Sequence, residues 1–211
     1  MSRPPLEVPR LRRVPRQARS RESLRRMLDA AEALLVAEGA GALTTTRVAE
    51  AAGVSVGSLY QYLPDKEAIV EALANRYLAE FEGLMDELVA AASGATEPWP
   101  DPVGTLLDRF AQRYRDRPGY RALWFGRELT PPLHAADRKN KLALAERLRR
   151  VLLALGLARD DDRLARAART GVLVADALLQ EAFRDDPAGD PELIEEAKVV
   201  LRLYLADVSG G

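Results

Sequence analysis

The seven residues Val56, Gly57, Ser58, Leu59, Tyr60, Gln61 and Tyr62 carry two phenols, one carboxamide, one hydroxyl and no charge. A helix facing only water would show lysine and glutamate at such positions. A polar, aromatic strip rich in small residues can instead press into the major groove of a duplex, where a glutamine amide reads base edges and tyrosine hydroxyls meet phosphates. Tyr60 and Tyr62 have a competing use as core residues. The segment just before the strip suits such a role. Two short helices crossing at a tight turn need a small residue at the crossing, a residue tolerant of positive φ in the turn, an apolar anchor after it and an apolar inner face on the second helix. Ala49, Gly53, Val54 and Leu59 occupy those positions in order. An ordinary helical hairpin with a glycine turn meets the same requirements.

Other chemistries find little support. The chain has no cysteine and one histidine, His134, with no serine motif or metal-ligand spacing around it. The reading therefore assigns no catalytic residue, metal or cofactor, and expects no enzyme. Without thiols nothing calls for an oxidising compartment. The first residues are rich in arginine and proline, and no apolar run approaches the roughly 18 residues of a membrane span. The expectation is a cytoplasmic protein that does not enter a membrane. Net charge is only −1, yet through Arg26 nine arginines face only Glu7 and Glu22, so the rest of the chain is acidic. A basic end on an acidic body suits a protein that sets one end on a polyanion. A solvated tail explains the same charges.

Composition favours helices throughout, with 47% apolar residues, 6% aromatics and abundant alanine and leucine. The expected fold is all-α, with about nine helices. Residues 1–19 read as a flexible basic arm. Leu24, Met27, Leu28, Ala31, Leu34 and Leu35 predict a first helix from Arg21 to Glu38, stopped by Gly39 and Gly41. Thr44 or Thr45 caps a second helix to about Ala52, Ser55 caps a third through Tyr62, and Asp65 caps a long fourth through Ala92. A fifth helix carries Val103 to Tyr114 and ends at Pro118-Gly119, and a short sixth runs from Tyr120 to Leu129. The seventh follows Pro131-Pro132 and stops at Gly156, the eighth covers residues 162–184, and Asp190-Pro191 starts the ninth.

The stretch TTTRVAEAAGVSVGSLYQYLPDKEAIV, residues 44–70, resembles the DNA-binding signature of the TetR family of transcriptional regulators. The resemblance implies a helix-turn-helix domain over residues 20–66 and a ligand-binding and dimerisation domain over residues 67–211. It implies that Thr44, Thr45 and Arg47 meet the backbone or groove edge, that Ser55, Val56, Gly57 and Ser58 enter the major groove, and that Tyr60 and Tyr62 contact phosphates. Gln61 touches a base by the same carry-over, and Lys66 holds a phosphate beside the amides that open the fourth helix. Tyr62 and Leu63 depart from the histidine and phenylalanine more common in the family.

The family also implies a homodimer formed by the last two helices, on which Ala168, Gly171, Ala175 and Ala182 are spaced for close approach. Those small residues serve equally well inside the chain's own core. The expected partners are a near-palindromic double-stranded operator, a second copy of the chain and a small-molecule effector, apolar or aromatic in character. Phe110, Tyr114, Tyr120, Trp124, Phe125 and His134 concentrate the rings that could line its pocket, with Asp176 and Gln180 supplying polar groups. By family habit the regulator is a repressor released by its effector. The alternative is an architectural DNA-binding protein without an effector.

Overall fold

A computed structural model describes residues 18–97, 99–125 and 130–209, so most of the expected basic arm lies outside the described residues. Those residues form nine α-helices, a single 3-10 turn over Ala40–Ala42, and no strand. They pack as two compact units, the described residues of 18–79 and 118–133 in one and those of 80–117 and 134–209 in the other.

The first unit begins with α1, Ala18–Glu38. Its Leu24, Met27, Leu28, Ala31 and Leu35 are buried at three- and four-residue steps, the stripe a helix needs to hide one face. Two short helices follow, α2 over Thr45–Ala51 and α3 over Val56–Tyr60. The long α4, Lys66–Ser93, contributes its residues to Ala79. Arg76 on α4 reaches α1, donating to Asp29 at 2.7 Å and to Glu32. Both Arg76 and Glu32 are largely buried, so removing one partner would strand the other's charge. The short α6, Pro118–Phe125, completes the unit. Gly119 is needed there because a Cβ would collide with the Tyr77 hydroxyl and press on Glu32. Burial first, and then the Glu32 charge, push the Tyr77 phenol well above its usual range, so it stays protonated.

The second unit takes α4 from Glu80 onward, α5 over Pro102–Asp116, α7 over Pro131–Ala154 from His134 onward, α8 over Asp162–Ala182 and α9 over Pro191–Ser209. Asp101 caps α5 by accepting from the Gly104 amide at 3.0 Å, and Arg202 of α9 donates to the same carboxylate at 2.5 Å. The guanidinium, and then the amide, hold this carboxyl below the usual range. Helices α8 and α9 pack along each other.

Several boundaries differ from the sequence expectation. The first helix starts three residues earlier, at Ala18, and α3 stops at Tyr60 instead of Tyr62. Pro118 closes α5 at Asp116 as expected and, with Gly119, also opens α6 two residues before the expected Tyr120, since the missing proline N–H costs nothing in a first turn. The expected end of that helix, residues 126–129, lies outside the described residues. The eighth helix ends at Ala182, two residues short. The small residues of α8 turn inward: Ala168 and Ala182 are buried, Ala175 is half-buried, and a Cβ on Gly171 would face Leu148 and Leu201. They serve the unit's own packing, and the apolar groups left in water are others, Leu173 on α8 and Val199, Val200 and Leu203 on α9.

Candidate nucleic-acid interface

Helices α2 and α3 are built from the caps inward. The Thr44 hydroxyl accepts from the Arg47 amide at 3.2 Å, and the Ser55 hydroxyl accepts from the Ser58 amide at 3.1 Å. Each thus satisfies one of the amides a helix leaves open at its start. Between them the chain turns at Gly53, whose φ of 62° is left-handed. The Gly53 amide donates to Glu50 O and the Val54 amide to Ala49 O, both at 3.0 Å, a paired closure that ties the end of α2 to the start of α3. Val48, Ala49 and Leu59 are buried beneath, while Val54, the anchor read from the sequence, is half-buried.

With Leu59 turned inward, the remainder of the strip faces outward. Ser55, Gly57, Tyr60 and Gln61 are exposed, and Val56 and Ser58 are half-buried. Tyr60 is 41% exposed, a large value for an aromatic ring. Its hydroxyl lies 3.3 Å from the Thr45 hydroxyl, a link between α3 and α2. Tyr62 differs. The helix has ended, its amide turns back to Leu59 O at 2.9 Å, and the ring is only 7% exposed. It takes the core alternative, and in this arrangement it offers a phosphate little surface.

Several of the expected contact residues are already engaged. Ser55 is spent as a cap and also lies 2.8 Å from the Ser58 hydroxyl. Arg47 donates through both terminal nitrogens to Glu38, at 2.6 and 3.0 Å, which holds the Glu38 carboxyl below its ordinary range. This pair crosses from the end of α1 to α2, and no short-range spacing rule reveals it. Lys66 is half-buried at the start of α4, and the Asp65 carboxylate already accepts from the Ala68 amide there at 2.7 Å. The amides beside Lys66 are therefore not all free.

The residues expected to bind a ligand fall in two separate units. In the first, Tyr120 stacks on Trp124 with centroids 4.4 Å apart and meets the Tyr77 ring edge-on at 6.0 Å, while Phe125 is half-buried. The Trp124 indole nitrogen is buried without a hydrogen-bond partner. In the second unit, Phe110 stacks on Phe81 at 5.6 Å, and Tyr114 links Phe81 to Phe183. His134 is exposed, so it stands at the surface of its unit. Gln180 donates to Asp176 at 2.9 Å, and Lys141 bridges Asp176 and Asp137, each at 2.7 Å. The sequence reading missed Lys141 and Asp137, although their spacing of four on one helix is a visible ion-pair signal. No helix among the described residues is long and apolar enough to cross a membrane, and no group of three potential metal ligands occurs among them.

Comparison with known proteins places this geometry among regulators. Residues 27–73 match the model of bacterial regulatory proteins of the tetR family, and residues 97–208 match that of a tetracyclin repressor-like C-terminal domain. A TetR-family transcriptional regulator from Streptomyces coelicolor is 34% identical, with a TM-score of 0.64 over 90% of this chain and 98% of its own. A putative TetR-family regulator from Mesorhizobium loti is 18% identical, with a TM-score of 0.71 over 90% of this chain and 98% of its own. SmeT, solved as a triclosan complex, is 20% identical, with a TM-score of 0.63 over 88% of this chain and 91% of its own. The last two share the fold. No curated protein matches the sequence.

Proposed function

Since this chain belongs to the TetR family of transcriptional regulators, we propose that it is a cytoplasmic, ligand-responsive repressor that binds a near-palindromic operator as a homodimer. The observation that carries the reading is the exposed, uncharged face of α3, with Tyr60 and Gln61 in water above a fully buried Leu59. An unpartnered surface of this kind has little purpose in a free helix and a clear one in a major groove.

In this reading residues 20–66 are the DNA-binding domain, residues 1–19 a basic arm and residues 67–211 the ligand-binding and dimerisation domain. Gln61, Gly57 and the exposed parts of Val56 and Ser58 face the bases. Tyr60, Thr44, Thr45 and Lys66 contact the sugar-phosphate backbone, and Arg47 lies at the groove edge, held by Glu38. Ser55 acts by holding α3 in place. The effector is a small molecule with apolar or planar character, held by aromatic side chains of the second unit such as Phe110 and Tyr114. The triclosan seen in SmeT is a precedent for such a ligand in a related fold. A molecule that fits only the conformation with wrongly spaced heads lowers operator affinity by the ratio of its affinities for the two states.

A mobility-shift assay on DNA flanking the chain's own gene tests the reading. The expected result is a discrete complex at nanomolar protein that excess non-operator DNA does not remove, and that a panel of planar aromatic compounds dissolves. Indifferent coating of all fragments would instead support an architectural protein, and a panel without effect would remove the effector from the proposal.

A further inference from the structure

We infer that Glu38 is a specificity-determining residue, which holds the Arg47 guanidinium so that Arg47 cannot bind DNA phosphates indiscriminately. The inference rests on residues 44–66 being the DNA-binding surface. Arg47 is the only lysine or arginine between Gly39 and Asp65, so the fixed positive charge of the two-helix motif comes from this one side chain. Glu38, the last residue of α1, takes both of its terminal nitrogens, at 2.6 and 3.0 Å. A carboxylate and a phosphate offer a guanidinium the same two-oxygen edge, so the two compete for one fork. The pair is open to that competition, with the Arg47 side chain 42% and the Glu38 side chain 50% exposed.

The consequence follows from what each contact can sense. A phosphate is present at every step of any duplex, so an arginine bound to it adds affinity for all sequences alike. Base edges differ, and the uncharged face of α3 addresses those. Cancelling the one cation inside the motif therefore shifts the balance from the first kind of contact to the second. One of the exposed arginines of α1 is paired in a similar way: Arg25 donates to Glu22 at 2.6 Å and to Asp29 at 2.8 Å.

Fluorescence anisotropy with the full chain tests this, using a random-sequence duplex and a selected operator duplex over a series of salt concentrations. Glu38→Gln should tighten binding to the random duplex roughly two- to five-fold at low salt, the range expected for releasing one exposed ion pair. It should steepen the plot of log affinity against log salt by about 0.9 for each arginine freed. The preference for operator should fall. In an Arg47→Gln background the same replacement should have no such effect, and Glu38→Ala should repeat the pattern of Glu38→Gln. An equal gain in both backgrounds would show plain relief of charge repulsion and overturn the inference. So would unchanged or weaker binding by both Glu38 variants that keep the wild-type melting temperature. A wild-type chain that binds neither duplex sinks the DNA-binding reading itself and the inference with it.

Discussion

Tyr60 and Tyr62 are two residues apart and of one type, yet one ring stands in water and the other is 7% exposed. The difference lies in where α3 stops. Tyr60 is its last residue, and the turn that follows carries Tyr62 into a buried position. Propensity does not resolve a helix end to within two residues, so the sequence left both rings open to either use. Capping chemistry was easier to read, because Thr44, Ser55 and Asp65 act on amides three residues away and need no tertiary information. The reverse holds for Arg47 and Glu38, whose pairing depends on the angle between two helices. At this scale the expected outcome is that Tyr60→Ala weakens operator binding by about 1 to 3 kcal/mol without unfolding the protein. Tyr60→Phe, which keeps the ring and loses the hydroxyl, should cost less. Anisotropy titrations paired with thermal melts check both, and unchanged affinity in Tyr60→Ala would remove this ring from the interface.

Among the elements, helices with one apolar stripe were legible and those that begin or end at ambiguous residues were not. The stripe on α1 appears in the structure from Leu24 to Leu35, with Leu34 only half-buried. The start of α6 was placed two residues late because Pro118-Gly119 is a common terminator, whereas here the pair ends α5 and also opens α6, with Gly119 packed closely against Tyr77 and Glu32. The small residues of α8 were ambiguous for a different reason. Small residues allow close approach of any helix, and sequence does not say whether that helix belongs to the same chain. Gly53 offers a test at this scale. Nothing lies within 4 Å of a Cβ built there, so a substitution meets no clash and only the left-handed backbone resists it. Gly53→Ala should therefore lower stability by about 1 to 2 kcal/mol and loosen α3. Urea denaturation measures the first. Hydrogen exchange at the Ser58 and Leu59 amides measures the second, and wild-type protection there would contradict the role given to the turn.

At the scale of the whole molecule, the proposed homodimer is implied by the sequence only through family resemblance. Leu203 is 70% exposed and Leu173, Val199 and Val200 are each over 40%, an amount of apolar surface on α8 and α9 that a second copy would cover. Leu203→Glu should accordingly turn a dimer into a monomer in analytical ultracentrifugation, and operator affinity should fall with it because each half-site is then bound alone. A Leu203→Glu chain that stays dimeric would move the interface elsewhere. The helix-turn-helix was legible from the motif, whereas the effector was not, because aromatic residues fill cores and line pockets alike. Selection of bound sequences from a random duplex library by the intact protein tests the central claim most directly. Enrichment of one inverted repeat, with half-sites about one helical turn apart or slightly more, is the expected result. A pool that emerges with no shared sequence, or with a single unrepeated half-site, would contradict a dimeric reader of DNA.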